Sequence, residues 1–188
     1  MQIILGIDPG TNIMGYGILS IDAAKKIHLL EMGVLKLDKL STHFEKLHKI
    51  FEKVNQLIIN YKPTSLATEA PFFGKNAQSM LKLGRAQGAA LAAGLHHNIP
   101  VFEYLPTVVK QQITGQGAAT KERVAYFVKQ IINFPDVPEY YDATDACAVA
   151  ICHYFHSTKK IPSVTIKKTI KKQQSWEQFI DNNKNRIA

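Results

Sequence analysis

Four acidic residues of this 188-residue chain stand where a charge is costly unless it has a partner. Asp8 closes an apolar run, residues 3–7, and is followed at once by a proline and a glycine. Glu69 closes a second short run, and Asp142 and Asp145 open a stretch with helical periodicity. Burial of an isolated carboxylate is strongly unfavourable. If the four side chains meet, they need a cation, which is the chemistry of a metal site.

Each pair of acids also has an ordinary structural explanation. An aspartate before Pro-Gly commonly caps its own turn, and aspartates in the first turn of a helix offset the helix dipole. Asp142 and Asp145 are three residues apart, so they lie on one helix face, one turn apart. For either pair alone the structural explanation is favoured. For both pairs at one edge of a sheet, the metal site is favoured.

Oxygen ligands determine which metal such a cluster would bind. Two like charges about 4 Å apart repel by roughly 4 kcal/mol at an effective dielectric of 20, so four carboxylates persist together only if protonated or neutralised. Carboxylate ligation favours Mg²⁺ or Mn²⁺ over zinc. Two such ions about 4 Å apart hold the attacking water and the leaving oxygen of a phosphodiester in line. The cluster therefore predicts two-metal hydrolysis of a phosphodiester.

The strands that position these acids are predicted from short apolar segments. The pattern predicts a first strand over the initial run, a second over residues 14–21 and a third over residues 27–37. Connections this short make neighbouring strands antiparallel. A fourth strand, residues 65–69, returns through a helix and so lies parallel to the first, and a fifth covers residues 101–104. The first and fourth strands then end at one edge, each with a carboxylate.

The helices are predicted from caps and apolar spacing. Residues 42–45 have the sequence of a capping box, so a helix begins there and ends before Pro63. Its predicted core face consists of Phe44, Leu47, Phe51, Val54, Ile58 and Tyr61. Further helices are predicted over residues 76–97, 106–112, 121–132 and from 142 to about 156. The fold class is α/β, a five-stranded mixed sheet (a three-stranded antiparallel meander plus two parallel strands) with helices on both faces.

Interior glycines add a packing constraint to this fold. A glycine inside a helix costs roughly 1 kcal/mol relative to alanine. Gly84, Gly88 and Gly94 therefore predict close helix contact, either within the fold or across a dimer. Glycines at 15 and 17, inside the second strand, predict close approach of another backbone or ligand, with plain packing as the alternative.

The positive charge is concentrated at the C-terminal end. The chain has a net charge of +8, and residues 158–188 contain eight Lys or Arg against two Asp or Glu. Residues 1–157 are predicted to form one domain, and residues 158–188 a basic, flexible tail without a core pattern. The tail is expected to make non-specific phosphate contacts. Docking of a protein through Trp176, Phe179 and Ile180 is the alternative.

The cysteines and the N-terminus predict a cytoplasmic protein. Cys147 and Cys152 are five residues apart in a helical pattern, so they diverge and have neither metal nor redox spacing. Buried thiols in a reducing compartment are expected. The chain shows no pattern of a signal peptide and no apolar run of membrane-spanning length.

Five motifs, in order over residues 1–157, resemble the RuvC family of Holliday-junction resolvases. They are GIDPGTNIMGYG at 6–17, EAPFFGKN at 69–76, LKLGRAQG at 81–88, VKQ at 109–111 and DATDA at 142–146. The resemblance implies a ribonuclease H-like fold, a symmetric homodimer and Mg²⁺-dependent paired nicking of four-way DNA junctions in recombination and repair. It also implies two ions per subunit, with Mn²⁺ as a substitute, and a branch-migration helicase as partner.

The same resemblance assigns roles to individual residues. Asp8, Glu69, Asp142 and Asp145 fall on the metal-binding carboxylates of the family. Phe72 matches the aromatic that stacks on bases opened at the crossover, whereas Phe73 is expected to pack the sheet edge, with base contact as its alternative. Lys110 and Lys121 match basic positions near the scissile phosphate. Further candidates for DNA contact are Lys75, Asn76, Lys82 and Arg85, while His153 and His156 are expected to be structural or exposed.

Two other functions share some of these features. Residues 8–11 also resemble the first phosphate loop of actin-like sugar kinases, but those enzymes need a second domain and a second glycine-rich loop, which this chain lacks. A junction-binding module without catalysis is the non-enzymatic alternative. It has no use for four carboxylates, because negative charge facing a phosphate opposes binding.

Overall fold

A mixed five-stranded sheet forms the centre of the molecule. The computed structural model describes residues 1–71, 76–134 and 141–158. The strands are β1 (Gln2–Asp8), β2 (Ile13–Ile21), β3 (Ile27–Lys36), β4 (Ser65–Glu69) and β5 (Val101–Tyr104). The helices are α1 (His43–Tyr61), α2 (Ala77–His96), α3 (Pro106–Thr114), α4 (Lys121–Ile132) and α5 (Tyr141–Thr158). The predicted elements are confirmed, with ends that differ by one or two residues.

The strand order brings the ends of β1 and β4 to the same edge. The order is β3-β2-β1-β4-β5, and the first three strands are antiparallel neighbours. β4 is parallel to β1, with Ile7 opposite Thr68, and β5 is parallel to β4. The helical connection α1 makes this parallel pairing possible. Asp8 and Glu69, each one residue beyond that last pair, therefore end side by side.

Two apolar cores cover the two faces of the sheet. One contains Leu5, Ile7 and Ile18 with α1 and α2, and the other contains Ile4 and Leu19 with α3, α4 and α5. Alternation along a strand sends successive side chains to opposite faces, which explains how one apolar run serves both cores.

Helix α5 lies directly on β1 and β2 because those strands have glycine at the contacts. A Cβ at Gly6 would overlap the carbonyl oxygen of Ala146, and one at Gly15 would overlap that of Asp142. At Gly17 an added Cβ would lie 2.5 Å from the sulfur of Cys147. The close approach predicted for the strand glycines is thus confirmed. It fixes the N-terminal turn of α5 beside the end of β1, since Gly15 pairs with Asp8.

The capping box at the start of α1 is present with both of its hydrogen bonds. Glu45 N donates to Thr42 Oγ1 at 3.2 Å, and Thr42 N donates to Glu45 Oε2 at 2.9 Å. The predicted core face was partly wrong, because Phe44 is 78 % exposed. The buried residues of α1 are Ile50, Val54, Leu57 and Ile58. The buried stripe therefore begins beyond the first turn and does not include Phe44.

Both cysteines are buried free thiols, as predicted. Burial raises the pKa of the Cys147 thiol to about 12. Among the described helices, none is both long and apolar enough to cross a membrane. Of the two histidines of α5, His153 is buried and His156 is exposed.

Candidate active site

The four acidic residues lie within electrostatic range of one another. Asp8 closes β1, Glu69 closes β4, and Asp142 and Asp145 occupy the first turns of α5. Burial raises the pKa of Asp8 well above its usual range, and the charges of Glu69, Asp145 and Asp142 raise it further. The edge predicted from strand order and the face predicted from helix spacing therefore meet at one place.

Two lysines supply the positive charge that the carboxylates need. Lys121 Nζ, at the start of α4, donates to Asp145 Oδ2 at 2.8 Å, and the Asp145 side chain is only 12 % exposed. Although burial lowers the pKa of Lys121, the bond to Asp145 and the nearby carboxylates raise it overall. Lys110 of α3 lines the same cavity, of about 150 Å³, together with Glu69, Asp145 and Lys121.

The pKa values of the other two perturbed carboxyls have the same physical origin. Burial is the largest cause of the raised pKa of Glu69, followed by the charge of Asp145. The pKa of Asp145 is also raised, mainly by burial, although the bond from Lys121 opposes the increase. Burial is thus the main cause at both carboxyls, and repulsion from a neighbouring carboxylate adds to it.

The donor set suits a hard cation. All four candidate ligands are carboxylates, and oxygen ligation is what Mg²⁺ and Mn²⁺ prefer. As the side chains are placed, no group of three or more His, Cys, Asp or Glu within the described ranges is arranged to hold an ion. Carboxylates without a cation between them repel, and Lys121 draws Asp145 toward itself. The residue types fit a divalent cation, which would offset the repulsion that Glu69, Asp145 and Asp142 add to the burial of Asp8.

A pH dependence of stability follows from the raised pKa of Asp8. Between the ordinary pKa of an aspartate and its raised value here, the folded state binds more protons than the unfolded state, so stability falls as pH rises. Asp8→Asn should therefore raise the Tm of metal-free protein at neutral pH. For each 1 kcal/mol removed we expect an increase of about 2–4 °C.

The increase in Tm of Asp8→Asn should disappear below the ordinary pKa of aspartate, because there the Asp8 carboxyl is protonated in both the folded and the unfolded state. Calorimetric scans of both proteins in chelator at several pH values measure it. Asp38→Asn, at an exposed aspartate outside the cluster, is the control. An equal Tm for Asp8→Asn and wild type at neutral pH would contradict the repulsion argument.

Gln87 holds the end of β4 in place and was missed by the sequence analysis. It is 3 % exposed, and its Nε2 donates to the backbone oxygen of Glu69 at 3.2 Å and to Glu103 Oε1 at 2.5 Å. This side chain joins α2 to the ends of β4 and β5. Its place within the motif of residues 81–88 was the available signal, but that motif was interpreted through its basic and small residues.

The remaining candidates for DNA contact lie at several places. Asn76 is the N-cap of α2, and its Oδ1 accepts from Ser79 N at 3.1 Å, so this side chain has a structural role. Lys82 lines a second, polar cavity, and Arg85 is exposed on the same helix. Phe72, Phe73 and Lys75 lie outside the described residues, as does the tail from residue 159 onward.

Comparison with known proteins places these features in one family. The family model described as crossover junction endodeoxyribonuclease RuvC matches residues 4–153. A protein of that name from Cytophaga hutchinsonii is 47 % identical over 187 residues. The match covers 99 % of this chain and 88 % of the length of the relative. Its counterpart from Bacteroides fragilis is 45 % identical over 188 residues, with 99 % and 96 % covered.

Solved structures agree with the sequence comparison. Thermus thermophilus RuvC in complex with a Holliday junction substrate is similar with a TM-score of 0.78 and 32 % identity, covering 84 % of this chain and 95 % of that one. The fowlpox virus resolvase bound to Holliday junction DNA has a TM-score of 0.53 and 17 % sequence identity. The match covers 84 % of this chain and 100 % of the viral chain, and at this identity it shows a shared fold only. The predicted ribonuclease H-like fold is confirmed.

Proposed function

Because this chain belongs to the RuvC family of crossover junction endodeoxyribonucleases, we propose that Asp8, Glu69, Asp142 and Asp145 are the residues with which it cuts DNA. The enzyme is a nuclease that resolves Holliday junctions, and metal dependence is general in its family. The observation that carries the assignment of residues is the convergence of the four carboxylates at one sheet edge, expressed in the raised pKa of Asp8.

The four carboxylates would hold two Mg²⁺ ions per subunit, with Mn²⁺ as a substitute. Bound there, such ions lower the pKa of a coordinated water and stabilise the charge on the leaving oxygen of a phosphodiester. Asp8 is fixed by the end of β1, while Asp142 and Asp145 are fixed by the contact of α5 with the strand glycines. The ion number is testable without activity, by calorimetric titration of Mg²⁺ into wild type and Asp8→Asn.

The lysines of the site would bind the phosphate that is cut. Lys121 and Lys110 line the same cavity as Glu69 and Asp145, so they can neutralise a DNA phosphate that approaches the acids. Lys121 Nζ lies 2.8 Å from Asp145 Oδ2 and its side chain is 58 % exposed, so a phosphate oxygen that approached the acids could reach it. Phe72 is proposed to stack on an opened base, an interaction worth about 1–3 kcal/mol.

A homodimer would use the exposed face of α2. Leu81 and Leu95 are 63 % and 62 % exposed. Between them, Gly84 and Gly88 face open space, with no atom of the described structure within 4 Å of an added Cβ. By contrast, Gly94 has a partner inside the fold, because a Cβ there would lie 3.1 Å from Leu66 Cδ1. An isologous contact along this stripe supplies the two-fold symmetry that paired nicks require.

Gly88→Glu should convert the dimer to a monomer, because it places a charge and a long side chain at the centre of the stripe. Glutamate is a better helix former than glycine, so α2 itself should remain stable. Light scattering at micromolar concentration measures the mass, and a junction-cleavage assay separates single from paired nicks. Ile59→Glu, on an exposed position of α1, is the matched control. Dimeric Gly88→Glu with paired nicking would exclude this interface.

Two further proposals concern cellular context. The buried free thiols Cys147 and Cys152 suit a reducing compartment, and we place the enzyme in the cytoplasm. A branch-migration helicase is its proposed partner.

Residues 1–157 are proposed as the nuclease domain, with residues 158–188 as an additional basic segment that contacts DNA phosphates without sequence preference.

A further inference from the structure

A polar cavity lies between the start of α1, the start of α2 and the loop that follows β1. Its volume is about 340 Å³, and its wall includes Thr11 and Asn12 from the loop and Ser79 from α2. The ionisable side chains of the wall are all basic: His43, Lys46 and Lys82. The cavity is separate from the one between Glu69 and Asp145, with which it shares no lining residue.

Three basic side chains face this cavity, and no acidic side chain of the described residues lines it. The pKa of His43 is lowered by burial first and then by the charges of Arg85, Lys82 and Lys46. His43 Nε2 is buried and has no hydrogen-bond partner in the described part of the chain. The acid of the same helical turn, Glu45, accepts from Thr42 N and forms no part of the wall. The cavity wall therefore carries the charges of two lysines together with a buried histidine nitrogen that has no partner among the described residues.

Lys46 connects the cavity to the loop that leaves the active site. Its Nζ donates to the backbone oxygen of Thr11 and to Asn12 Oδ1, both at 3.1 Å. Thr11 is three residues beyond Asp8, so their Cα atoms are at most about 10 Å apart. A DNA strand has one phosphate per 3.4 Å of helix axis, so the Thr11 side of the cavity lies within about three phosphates of Asp8.

We propose that this cavity binds a backbone phosphate of the cleaved strand, next to the scissile position, through His43, Lys46 and Lys82. Charge-assisted hydrogen bonds to phosphate oxygens fix the register of a protein on DNA without reading its sequence. A contact a few nucleotides from the cut would hold the strand at a fixed offset from Asp8. The inference rests on the proposed function and adds a second anchoring point for the same substrate.

Two substitutions test the cavity from opposite walls. Lys46→Gln removes one charge from α1 and keeps a donor for Thr11. Ser79→Asp adds a negative charge at the third position of α2, where an acid stabilises a helix N-terminus, so folding should be preserved. The matched controls are Lys49→Gln, whose charge is already paired with Glu52 at 3.1 Å, and Gln78→Asp, whose side chain is not part of the wall.

The measurement is the Kd for a synthetic four-way junction at several salt concentrations. Lys46→Gln should weaken binding by on the order of fivefold and reduce the slope of log K against log[salt] by about 0.9, the loss of one phosphate contact. Ser79→Asp should weaken binding by a similar factor. Both controls should retain the wild-type affinity to within about twofold and the wild-type slope.

The proposal stands if both cavity variants differ from their controls in this way, and it is overturned if either binds as its control does. Should Lys46→Gln lower the Tm, the pair Ser79→Asp and Gln78→Asp decides alone. Wild-type protein that neither binds nor cleaves the junction would defeat the proposed function itself. Wild-type protein that cleaves, with cavity variants equal to controls, would defeat only this inference.

Discussion

Asp8→Asn, Glu69→Gln, Asp142→Asn and Asp145→Asn are each expected to lower the rate of junction cleavage by about 10³-fold or more. Each change removes a carboxylate from the set proposed to hold the divalent cations, so activation of water and stabilisation of the leaving oxygen are lost together. Junction binding should persist, because phosphate contacts come from basic residues outside the set of acids. The Kd should therefore change by less than about tenfold, the equivalent of 1.4 kcal/mol.

Single-turnover cleavage of a labelled synthetic junction, with saturating protein and Mg²⁺, separates the rate from the affinity. Asp22→Asn is the matched control, since Asp22 contacts His28 at 2.8 Å in the turn between β2 and β3, on a different part of the sheet. A carboxylate variant that nicks junctions at the wild-type rate would remove that residue from the proposed site.

Gly15→Ala is expected to cost about 3 kcal/mol of unfolding free energy and to abolish most cleavage. The added Cβ would overlap the carbonyl oxygen of Asp142, which is backbone and has no rotamer with which to avoid it. Helix α5 would have to move away from β2, and Asp142 and Asp145 would move with it. A loss of that size lowers the Tm by roughly 6–12 °C for a chain of this length.

Gly84→Ala tests whether that loss comes from the contact rather than from the replacement of any glycine. No atom of the described structure lies within 4 Å of a Cβ at Gly84, and alanine is the better helix former by about 1 kcal/mol. Because Gly84 also lies on the proposed dimer stripe, this control is measured in the monomeric Gly88→Glu protein, where Gly84→Ala should raise the Tm slightly. If thermal unfolding and cleavage of Gly15→Ala matched those of wild type, α5 would not be held as the structure indicates.

Local sequence signals were sufficient wherever one element determined its own ends. Thr42 and Glu45 predicted the start of α1, and both bonds of the capping box are present. The relative directions of the first four strands followed from the lengths of their connections, because connections of four and five residues favour antiparallel pairing and a helical crossover favours parallel pairing. Those directions were enough to place Asp8 and Glu69 at one edge.

Contacts between distant elements could not be obtained in this way. Phe44 fits the helical period of the core face, yet its side chain is 78 % exposed. In the same turn it is His43, not Phe44, that faces the start of α2. Gln87 looks like a solvent-facing polar residue until β4 and β5 are placed beside it. The role of Lys46 depends on the return of α1 to the loop after β1, thirty-five residues earlier in the chain. Residue type and spacing did not reveal these three contacts, whereas the strand glycines did signal the approach of α5.

The ion pair between Lys121 and Asp145 also required the structure. Lys121 was selected by its match to a basic position of the family, whereas its partner was not predicted. The pairing shows why the acids tolerate their proximity: one of the four is directly neutralised, and burial and repulsion raise the pKa of Asp8.

The most direct test of the central claim compares cleavage of a four-way junction with cleavage of a linear duplex of the same sequence, with and without Mg²⁺. The four-carboxylate site predicts paired nicks in the junction only when Mg²⁺ is present, little cleavage of the duplex, and no product from Asp8→Asn in either case. Junction cleavage that continued in chelator, or that persisted in Asp8→Asn, would contradict the claim that these carboxylates cut DNA through a bound metal.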